Sequence, residues 1–384
     1  MLFRIETSAV QSLIEALRQR KYNVIGPIRR GGAIVYDQIA STNDLPKGWT
    51  DEQRPGQYRL RKGDDDRFFG FAVGPQSWKQ FLFPPTLKLF SVDRNGKGFA
   101  VPTKNRESAQ ARPEQLAFFG VRSCELYAIA AQDKIFGSGE YRDPYYTEIR
   151  KRLFIVAVNC STSADTCFCS SMATGPKAKN GYDLLLTEVA ANGAHFFTVE
   201  VGSPAGENIF KNVPHVPASA EESKSAELVV SKTAAGMKRS MDTSGIKELL
   251  YANSEHPEWE KVGGRCLSCA NCTMVCPTCF CSTVEDTTDL SGSRATRTRT
   301  WDSCFTMAFS YIHGGSVRTS TKSRYRQWMT HKLASWIDQF GTSGCVGCGR
   351  CITWCPVGID ITDEARVIRE STSREREPQN TKEK

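Results

Sequence analysis

The sequence carries one twelve-residue pattern twice, as CLSCANCTMVCP at residues 266–277 and as CVGCGRCITWCP at residues 345–356. Each copy places three cysteines at intervals of three residues, then a fourth cysteine four residues later with a proline directly after it. Three thiolates in so short a loop can surround one inorganic cluster, whereas the fourth is directed away from it. The repeat therefore predicts a fold in which the two loops face each other and exchange their fourth cysteines.

This spacing is that of the bacterial ferredoxin run, in which the fourth cysteine ligates the other cluster. The spacing assigns one [4Fe–4S] cluster to Cys266, Cys269, Cys272 and Cys355, and a second to Cys345, Cys348, Cys351 and Cys276. Structural zinc is the alternative, but zinc sites favour two separated Cys-x2-Cys pairs over one constellation of eight cysteines. The 68 residues between Cys276 and Cys345 exceed what a minimal ferredoxin needs, so we expect a larger and more helical module.

Seven of the 15 cysteines lie outside these two runs. A reducing cytoplasm does not use so many cysteines for disulfides. Four of them follow two predicted buried strands, where the ends of strands open onto a common crevice: Cys124, Cys160, Cys167 and Cys169. These four thiols predict either a third cluster or a set of buried, inert thiols, and both interpretations stay open. Cys279, Cys281 and Cys304 are interpreted as buried thiols beside the clusters, with ligation of an unassigned group as the alternative.

Composition restricts the class of protein. The chain has 384 residues, of which 40% are hydrophobic and 24% charged, as in an average folded protein rather than a disordered or fibrous one. The longest apolar run, residues 153–158, is far too short to cross a bilayer. The first residues lack the layout of a signal peptide, so we expect a cytoplasmic protein without membrane insertion.

The hydrophobic pattern predicts an α+β protein: an N-terminal α/β-type domain followed by a largely helical, ferredoxin-like domain with two [4Fe–4S] clusters. The predicted domains are residues 1–202, a partly helical connector at 203–262, the dicluster domain at 263–362 with a basic insert at 291–332, and a short helix end with a disordered polar tail at 363–384, the tail beginning at Ser371.

The predicted elements are a helix over 10–17, buried strands over 115–119 and 153–158, a helix over 125–136 capped by Ser123, and a hairpin of 182–189 and 195–201 turning at Asn192-Gly193. Residues 55–115 give no clear pattern.

Motifs for substrate chemistry are absent. The sequence contains no G-x-G-x-x-G after a strand, no G-x-x-x-x-G-K-[ST] and no H-E-x-x-H, and it has only five histidines. No catalytic residue is therefore assigned, and an electron carrier is the remaining interpretation. Residues 291–332 carry eight Arg and Lys against one acid, Asp302, which predicts a docking surface for an acidic subunit. A nucleic-acid-binding protein with a structural metal is the remote alternative. Four aromatic residues that could stack on bases are interleaved with these charges: Trp301, Tyr311, Tyr325 and Trp328.

Several segments resemble a known family. They are FFGVRSCEL at 118–126, DPYY at 143–146, VNC at 158–160 with TCFCS at 166–170, CLSCANCTMVCPTC at 266–279, DSCF at 302–305 and CVGCGRC at 345–351. Together they resemble the beta (iron–sulfur) subunit of cytoplasmic sulfhydrogenases, the NAD(P)-linked [NiFe] hydrogenases. The corresponding iron–sulfur subunit of anaerobic sulfite reductase is a near relative with a similar layout. The resemblance spans about residues 115–360.

This resemblance implies a non-catalytic electron-transfer subunit of an oxidoreductase complex. Its implied partners are a flavin/NAD(P)-binding subunit and a catalytic subunit, which is a [NiFe] hydrogenase module or, in the alternative, a sirohaem sulfite reductase. Nucleic acid is not an expected partner. The resemblance also gives the four N-terminal cysteines a role in a possible third [4Fe–4S] cluster. The residues themselves leave this cluster and a set of inert thiols equally open.

Overall fold

The computed structural model describes residues 2–94, 96, 98–100, 115–191 and 193–376, with the backbone alone for 374–376. Its strands are β1 (Leu2–Glu6), β2 (Asn23–Arg30), β3 (Ala33–Gln38), β4 (Trp49–Arg54), β5 (Gln57–Lys62), β6 (Thr86–Arg94), β7 (Phe99–Ala100), β8 (Leu116–Val121), β9 (Phe154–Val158), β10 (Leu184–Ala191), β11 (Ala194–Val201), β12 (Val216–Pro217), β13 (Ser282–Thr288), β14 (Arg294–Trp301), β15 (Tyr311–Ile312) and β16 (Gly315–Ser316). The predicted strands over 115–119 and 153–158 and the predicted hairpin are confirmed as β8, β9 and β10–β11. Asn192 of the predicted turn lies outside the described residues.

One eight-stranded sheet organises the N-terminal half, in the order β12-β1-β11-β10-β9-β8-β2-β3. Its centre is parallel, since β8 pairs in parallel with both β2 and β9, and β9 with β10. The central strands β8 and β9 are buried throughout, as expected for parallel strands covered on both faces. The carboxyl ends of β8 and β9 therefore reach the same edge of the sheet, directly before Cys124 and Cys160.

Helices cover both faces of this sheet. On one face lies the helix Ala9–Gln19, whose Val10, Leu13, Ile14 and Leu17 are buried as the predicted amphipathic pattern required. On the other face lie the helices Ser123–Phe136 and Pro144–Arg152. This packing confirms the α+β class and its α/β-type N-terminal part.

A second, four-stranded sheet in the order β13-β14-β6-β7 joins distant parts of the chain. Strand β13 precedes the predicted basic insert and β14 lies within it, whereas β6 comes from the stretch 55–115 that gave no pattern. The predicted dicluster domain is therefore not helical throughout, because its strand β14 pairs with β6 of the N-terminal half. The predicted boundaries between domains remain a prediction.

The remaining helices belong mostly to the C-terminal half. They are Lys79–Leu82, Pro204–Phe210, Ala220–Ala235, Ile246–Ala252, Glu258–Arg265, Asn271–Met274, Thr321–Thr330, Trp336–Phe340, Arg350–Thr353 and Ile361–Arg376, with a 3-10 turn at Thr42–Asp44 and a π-helical turn at His331–Ser335. They pack around a core of buried side chains that includes Trp259, Trp328, Met329, Ile352 and Ile368. The predicted tail is wrong at its start, because the last helix continues through Ser371 to Arg376; its remainder, 377–384, lies outside the described residues.

Candidate metal centre

Five cysteines of the two runs line one cavity. Cys266, Cys269 and Cys272 come from the first loop, and Cys351 and Cys355 come from the second. The other walls are mainly apolar, and they include Phe305, Tyr325, Trp328, Ile359 and Ile361. The backbone N–H groups of Ser268 and Ile359 approach the sulfurs of Cys266 and Cys355 at 3.4 and 3.3 Å. The cavity is therefore lined by thiols and mainly apolar side chains, which suits a cubane cluster bound by thiolates.

The two loops share one backbone conformation. In the first loop the residues two and four positions after the leading cysteine, Ser268 and Ala270, have φ of 51° and 66°. At the same positions of the second loop Gly347 and Gly349 have φ of 65° and 75°. A short helix follows each time, Asn271–Met274 in one loop and Arg350–Thr353 in the other. The shared left-handed positions curl each loop so that its cysteines face one point.

The second group contains Cys345, Cys348 and Cys351 together with Cys276. Their charges act on one another, since Cys276 and Cys348 both raise the pKa of neighbours in the loop. Burial is the larger effect, and it raises the pKa of the Cys345 thiol to about 12. Cys276 differs, because its hydrogen bond with Cys279 and the charge of Lys332 hold the pKa of its thiol well below the usual value. Ligation requires the thiolate, and binding of a metal to the other three would release their protons.

The four N-terminal cysteines also converge. Cys124 follows β8 and Cys160 follows β9, and the loop after β9 returns Cys167 and Cys169 to the same place. The charges of Cys169 and Cys160 raise the pKa of the Cys124 thiol, and the charge of Cys160 raises the pKa of the Cys167 thiol. Cys348 of the second loop acts on Cys124, Cys167 and Cys169. This N-terminal group therefore lies next to the second group.

Ser123 does not cap its helix as predicted. The helix begins at Ser123 itself, after Arg122, and the Ser123 hydroxyl donates to the carbonyls of Thr174 and Lys177 at 2.8 and 3.0 Å. These bonds hold the 174–177 loop against the start of the helix. Ser123 thus fixes the backbone on both sides of Cys124, which is a positioning role that the sequence pattern did not indicate.

Three buried cations face the cysteine groups. Lys332 Nζ lies 3.2 Å from Cys276 Sγ, Lys79 Nζ donates to the Cys279 carbonyl at 3.1 Å, and the guanidinium of Arg122 hydrogen-bonds to the Cys160 thiol. Their side chains are almost fully buried. Within the described part of the chain, none of the three forms an ion pair with a carboxylate. A buried cation without an anionic partner is costly, so the sulfur groups beside it must carry the compensating negative charge.

One ion pair links the N-terminal group to the second loop. Arg350, between Cys348 and Cys351, donates to Glu125 at 2.5 Å, and Glu125 follows Cys124 directly. Both side chains are at most 1% exposed. Glu125 also accepts hydrogen bonds from the Tyr36 hydroxyl and the Trp78 indole at 3.0 Å each. The two cysteine loops are therefore tied together by charge as well as by packing.

The three remaining thiols, Cys279, Cys281 and Cys304, lie close to cysteines of the first and second groups. Cys279 hydrogen-bonds to Cys276, and Cys304 hydrogen-bonds to Cys281 and lowers the pKa of that thiol to about 7. Cys272 of the first loop also acts on Cys304. These positions are those expected for thiols that adjoin the clusters. Among the described residues, no three side chains of His, Cys, Asp or Glu converge tightly enough to hold a single metal ion.

Residues 265–359 match a family model described as a 4Fe–4S dicluster domain. The chain is also 28% identical over 354 residues to sulfhydrogenase 2 subunit beta of Pyrococcus furiosus, and the alignment covers 89% of this chain and 92% of that protein. No solved structure matches the chain. The chain is a homologue of a sulfhydrogenase beta subunit. The resemblance noted in the sequence is confirmed, and [4Fe–4S] clusters are the type of cofactor that this homologue's dicluster domain indicates.

The basic stretch of this beta-subunit homologue is paired within the chain. The partners are Asp93 for Arg294, Asp286 for Arg297, Asp143 for Arg299, Glu260 for Lys322 and Glu255 for Arg326. Arg324 is buried and donates to the Phe305 carbonyl at 2.9 Å. The expected docking surface at Arg324 is therefore wrong, because acids outside residues 291–332 neutralise most of the charge counted along the sequence.

The aromatic residues of that stretch are also partly internal. Tyr325 and Trp328 are 3% and 4% exposed and pack in the core beside the first cavity. They line the wall behind Cys266 and Cys272 rather than offering stacking surfaces. Two of the four aromatic residues that motivated a nucleic-acid-binding alternative are therefore internal, whereas Tyr311 is exposed. Among the described residues, no helix has both the length and the apolar character needed to cross a bilayer.

Proposed function

We propose that this chain is the iron–sulfur electron-transfer subunit of a multi-subunit oxidoreductase. It would pass electrons between a flavin/NAD(P)-binding subunit and a [NiFe] hydrogenase module, in the cytoplasm. The observation that carries the proposal is that three groups of four cysteines follow one another through the molecule. Cys348 of the second group acts on three N-terminal cysteines, and Cys272 of the first group acts on Cys351 of the second.

The proposed ligand assignment follows the spacing of the two cysteine runs. Cys266, Cys269, Cys272 and Cys355 hold the first centre, and Cys345, Cys348, Cys351 and Cys276 hold the second. Because each loop gives its last cysteine to the other centre, the fold fixes the distance between the two. Each [4Fe–4S] cluster supplies a site that gains or loses one electron. The buried thiols, the apolar walls and the backbone N–H groups keep water out and set the potential.

The N-terminal group is proposed to hold a third [4Fe–4S] centre, through Cys124, Cys160, Cys167 and Cys169. Arg122 is 2% exposed and its guanidinium donates to the carbonyls of Phe69 and Phe71 at 3.0 Å each, which are neutral partners. Four thiolates around a cluster core give a net negative group, and such a group would compensate the guanidinium. Four inert, neutral thiols would leave the guanidinium without an anion in direct contact, since Asp51 acts on it but forms no ion pair with it.

The named relative favours the hydrogenase complex over the sirohaem sulfite reductase. Its name describes a sulfhydrogenase subunit, and the alignment covers nearly all of both chains. We therefore propose partners of the hydrogenase kind. Docking through the whole of the basic stretch is not part of this proposal, since most of its cations are already paired.

Iron and acid-labile sulfide, counted in the anaerobically purified complex, test the number of centres. We expect about twelve iron atoms from this chain, about four fewer in Cys272→Ser and about four fewer in Cys160→Ser. Cys304→Ser is the matched control, because that thiol is assigned to no centre, and it should keep the full content. Reduction of the distal acceptor by the nucleotide should be lost in Cys272→Ser, while the partner subunits keep their separate activities.

The opposite results are equally clear. About eight iron atoms, with no loss in Cys160→Ser, would restrict the chain to two centres and make the N-terminal thiols structural. Zinc without sulfide would contradict the electron-transfer function altogether. Full turnover in a Cys272→Ser complex that has lost its first centre would show that electrons do not pass through this chain.

A further inference from the structure

Lys332 occupies an unusual position beside the second group. It lies in the π-helical turn His331–Ser335 and is 4% exposed. Its ammonium nitrogen is 3.2 Å from Cys276 Sγ and 3.5 Å from Cys279 Sγ. Its oxygen partners are the Thr278 hydroxyl and the Gly344 carbonyl, both at 3.3 Å. The wider turn places this side chain under the last cysteine of the first loop, and such turns are often found at functional sites.

We propose that Lys332 is a fixed positive charge that raises the reduction potential of the second centre above that of the first. This inference rests on the proposed function, because it concerns one of the proposed clusters. Reduction adds a negative charge to the cluster and its thiolates. A cation at hydrogen-bond distance from the ligand Cys276 stabilises the reduced form more than the oxidised form, and the potential therefore rises.

The first centre has no equivalent cation. Among the described residues, the recorded hydrogen bonds to its sulfurs come from the backbone N–H groups of Ser268 and Ile359. Arg324 acts on Cys266 but donates its hydrogen bond to the Phe305 carbonyl, and Lys332 acts on Cys272 without a hydrogen bond to its sulfur. The two loops are alike in sequence spacing and in backbone, so Lys332 is a charge that distinguishes their environments.

A second cation lies farther from the same centre. Lys79 Nζ donates to the Cys279 carbonyl and sits 3.8 Å from the centre of the Trp301 ring. It contacts no ligand sulfur directly, so its effect on the second centre is expected in the same direction but weaker. In contrast, the second loop's Arg350 is neutralised by Glu125. The second centre would then hold the electron more strongly than the first.

The test measures the potentials of the centres in Lys332→Met by redox titration followed by EPR, in the purified complex. We expect the potential of the second centre to fall clearly more than that of the first, because Lys332 contacts a sulfur of the second centre directly and acts on Cys272 only without a hydrogen bond. Lys79→Met should give a smaller fall in the same centre. Lys322→Met is the matched control, since that lysine pairs with Glu260 and contacts no sulfur, and it should shift neither. Unchanged potentials in Lys332→Met, or a shift confined to the first centre, would overturn the proposal.

A second measurement does not depend on how Lys332→Met folds. Of the first and second centres, the unaltered protein should show two different potentials. The EPR signal of the centre with the higher potential should change in Cys276→Ser and stay the same in Cys355→Ser. If Cys355→Ser changes the higher-potential signal, Lys332 does not set the order. Loss of the proposed function would be visible separately, as absence of iron and sulfide, whereas failure of this inference would leave intact clusters with a different order of potentials.

Discussion

Glu125 shows how one side chain can hold two cysteine groups in register. It accepts hydrogen bonds from Arg350, Tyr36 and Trp78 and is 1% exposed. Its neighbour in sequence is Cys124, and Arg350 stands between Cys348 and Cys351. The carboxylate therefore balances a guanidinium that is itself fully buried, and burial of that guanidinium alone would be strongly unfavourable.

We predict that Glu125→Gln lowers the free energy of unfolding by about 3–5 kcal/mol, because it leaves Arg350 buried without its counter-charge. Urea unfolding of the anaerobic protein, followed by tryptophan fluorescence, measures this change. Glu148→Gln is the matched control, since Glu148 forms an exposed pair with Lys151 at 3.1 Å, and its cost should be about 0–1 kcal/mol. An equal loss of unfolding free energy in the two variants would mean that the buried pair stabilises the fold no more than the exposed pair does.

At the scale of single elements, the hairpin β13–β14 ties the C-terminal half to β6 and to the helix Pro144–Arg152. Arg299 of β14 pairs with Asp143, which also accepts from the Tyr146 N–H at the start of that helix. Arg299 and Asp143 are 13% and 12% exposed, whereas Arg294 and Asp93 are 54% and 38% exposed. The two ion pairs lie on one strand but in very different surroundings.

We therefore predict unequal effects of removing the two arginines. Arg299→Met should reduce the free energy of unfolding by roughly 3 kcal/mol, because Asp143 keeps its charge away from water. Arg294→Met, the control on the same strand, should cost about 1 kcal/mol or less. Both are measured by urea unfolding, and a larger loss in Arg294→Met would contradict the assignment of Arg299 as the internal pair.

Elements with a strong periodic pattern could be predicted from the sequence, and those set by distant partners could not. The helix Ala9–Gln19 and strands β8 and β9 follow from their own apolar residues, which suffice to define a buried face. Strand β6 alternates half-buried and exposed residues, and its place depends on pairing with β14 about two hundred residues away. Local spacing carries no information on such a pairing, so the stretch 55–115 gave no prediction.

The same distinction applies to the candidate site. Spacing alone predicts which three cysteines of each run lie together, because each loop is local, while the exchange of the fourth cysteines stays a prediction. Lys332 entered the sequence analysis only as one charge of a basic stretch, and Arg122 only as part of a family segment. Their roles beside sulfur depend on folding that brings residues 332 and 276, or 122 and 160, together. The sequence around a lysine or arginine does not indicate that folding will bury its side chain.

At the scale of the whole molecule, the second loop is enclosed on both sides. On one side Thr278 donates to the Gly344 carbonyl at 2.6 Å, and on the other the Phe168 N–H donates to the Gly347 carbonyl at 2.9 Å. The segments that make these contacts, TCFCS at 166–170 and at 278–282, repeat each other in sequence. The second loop therefore lies between two similar segments, one from each half of the chain.

Because the second loop is enclosed, two of its positions need glycine, whereas the matching positions of the first loop do not. A Cβ atom on Gly347 would lie 2.7 Å from the backbone of Cys169, and one on Gly349 would lie 2.4 Å from the Thr166 carbonyl. The first loop adopts the same left-handed positions with Ser268 and Ala270. Close approach to the N-terminal cysteines, and not backbone conformation alone, therefore requires glycine here.

We predict that Gly347→Ala pushes the second loop away from Cys169 and weakens the magnetic coupling between the reduced second and N-terminal centres, as seen by EPR. It should also cost about 1–3 kcal/mol of stability beyond the conformational strain, because the new methyl group meets backbone atoms that cannot easily yield. Gly341→Ala is the matched control: its φ is 67° and a Cβ there meets no atom within 4 Å, so only the strain of about 1 kcal/mol should appear. If both variants kept the coupling and lost stability equally, the contact between Gly347 and Cys169 would not set the spacing of the two centres, and electrons would have to cross between the halves of the molecule by another route.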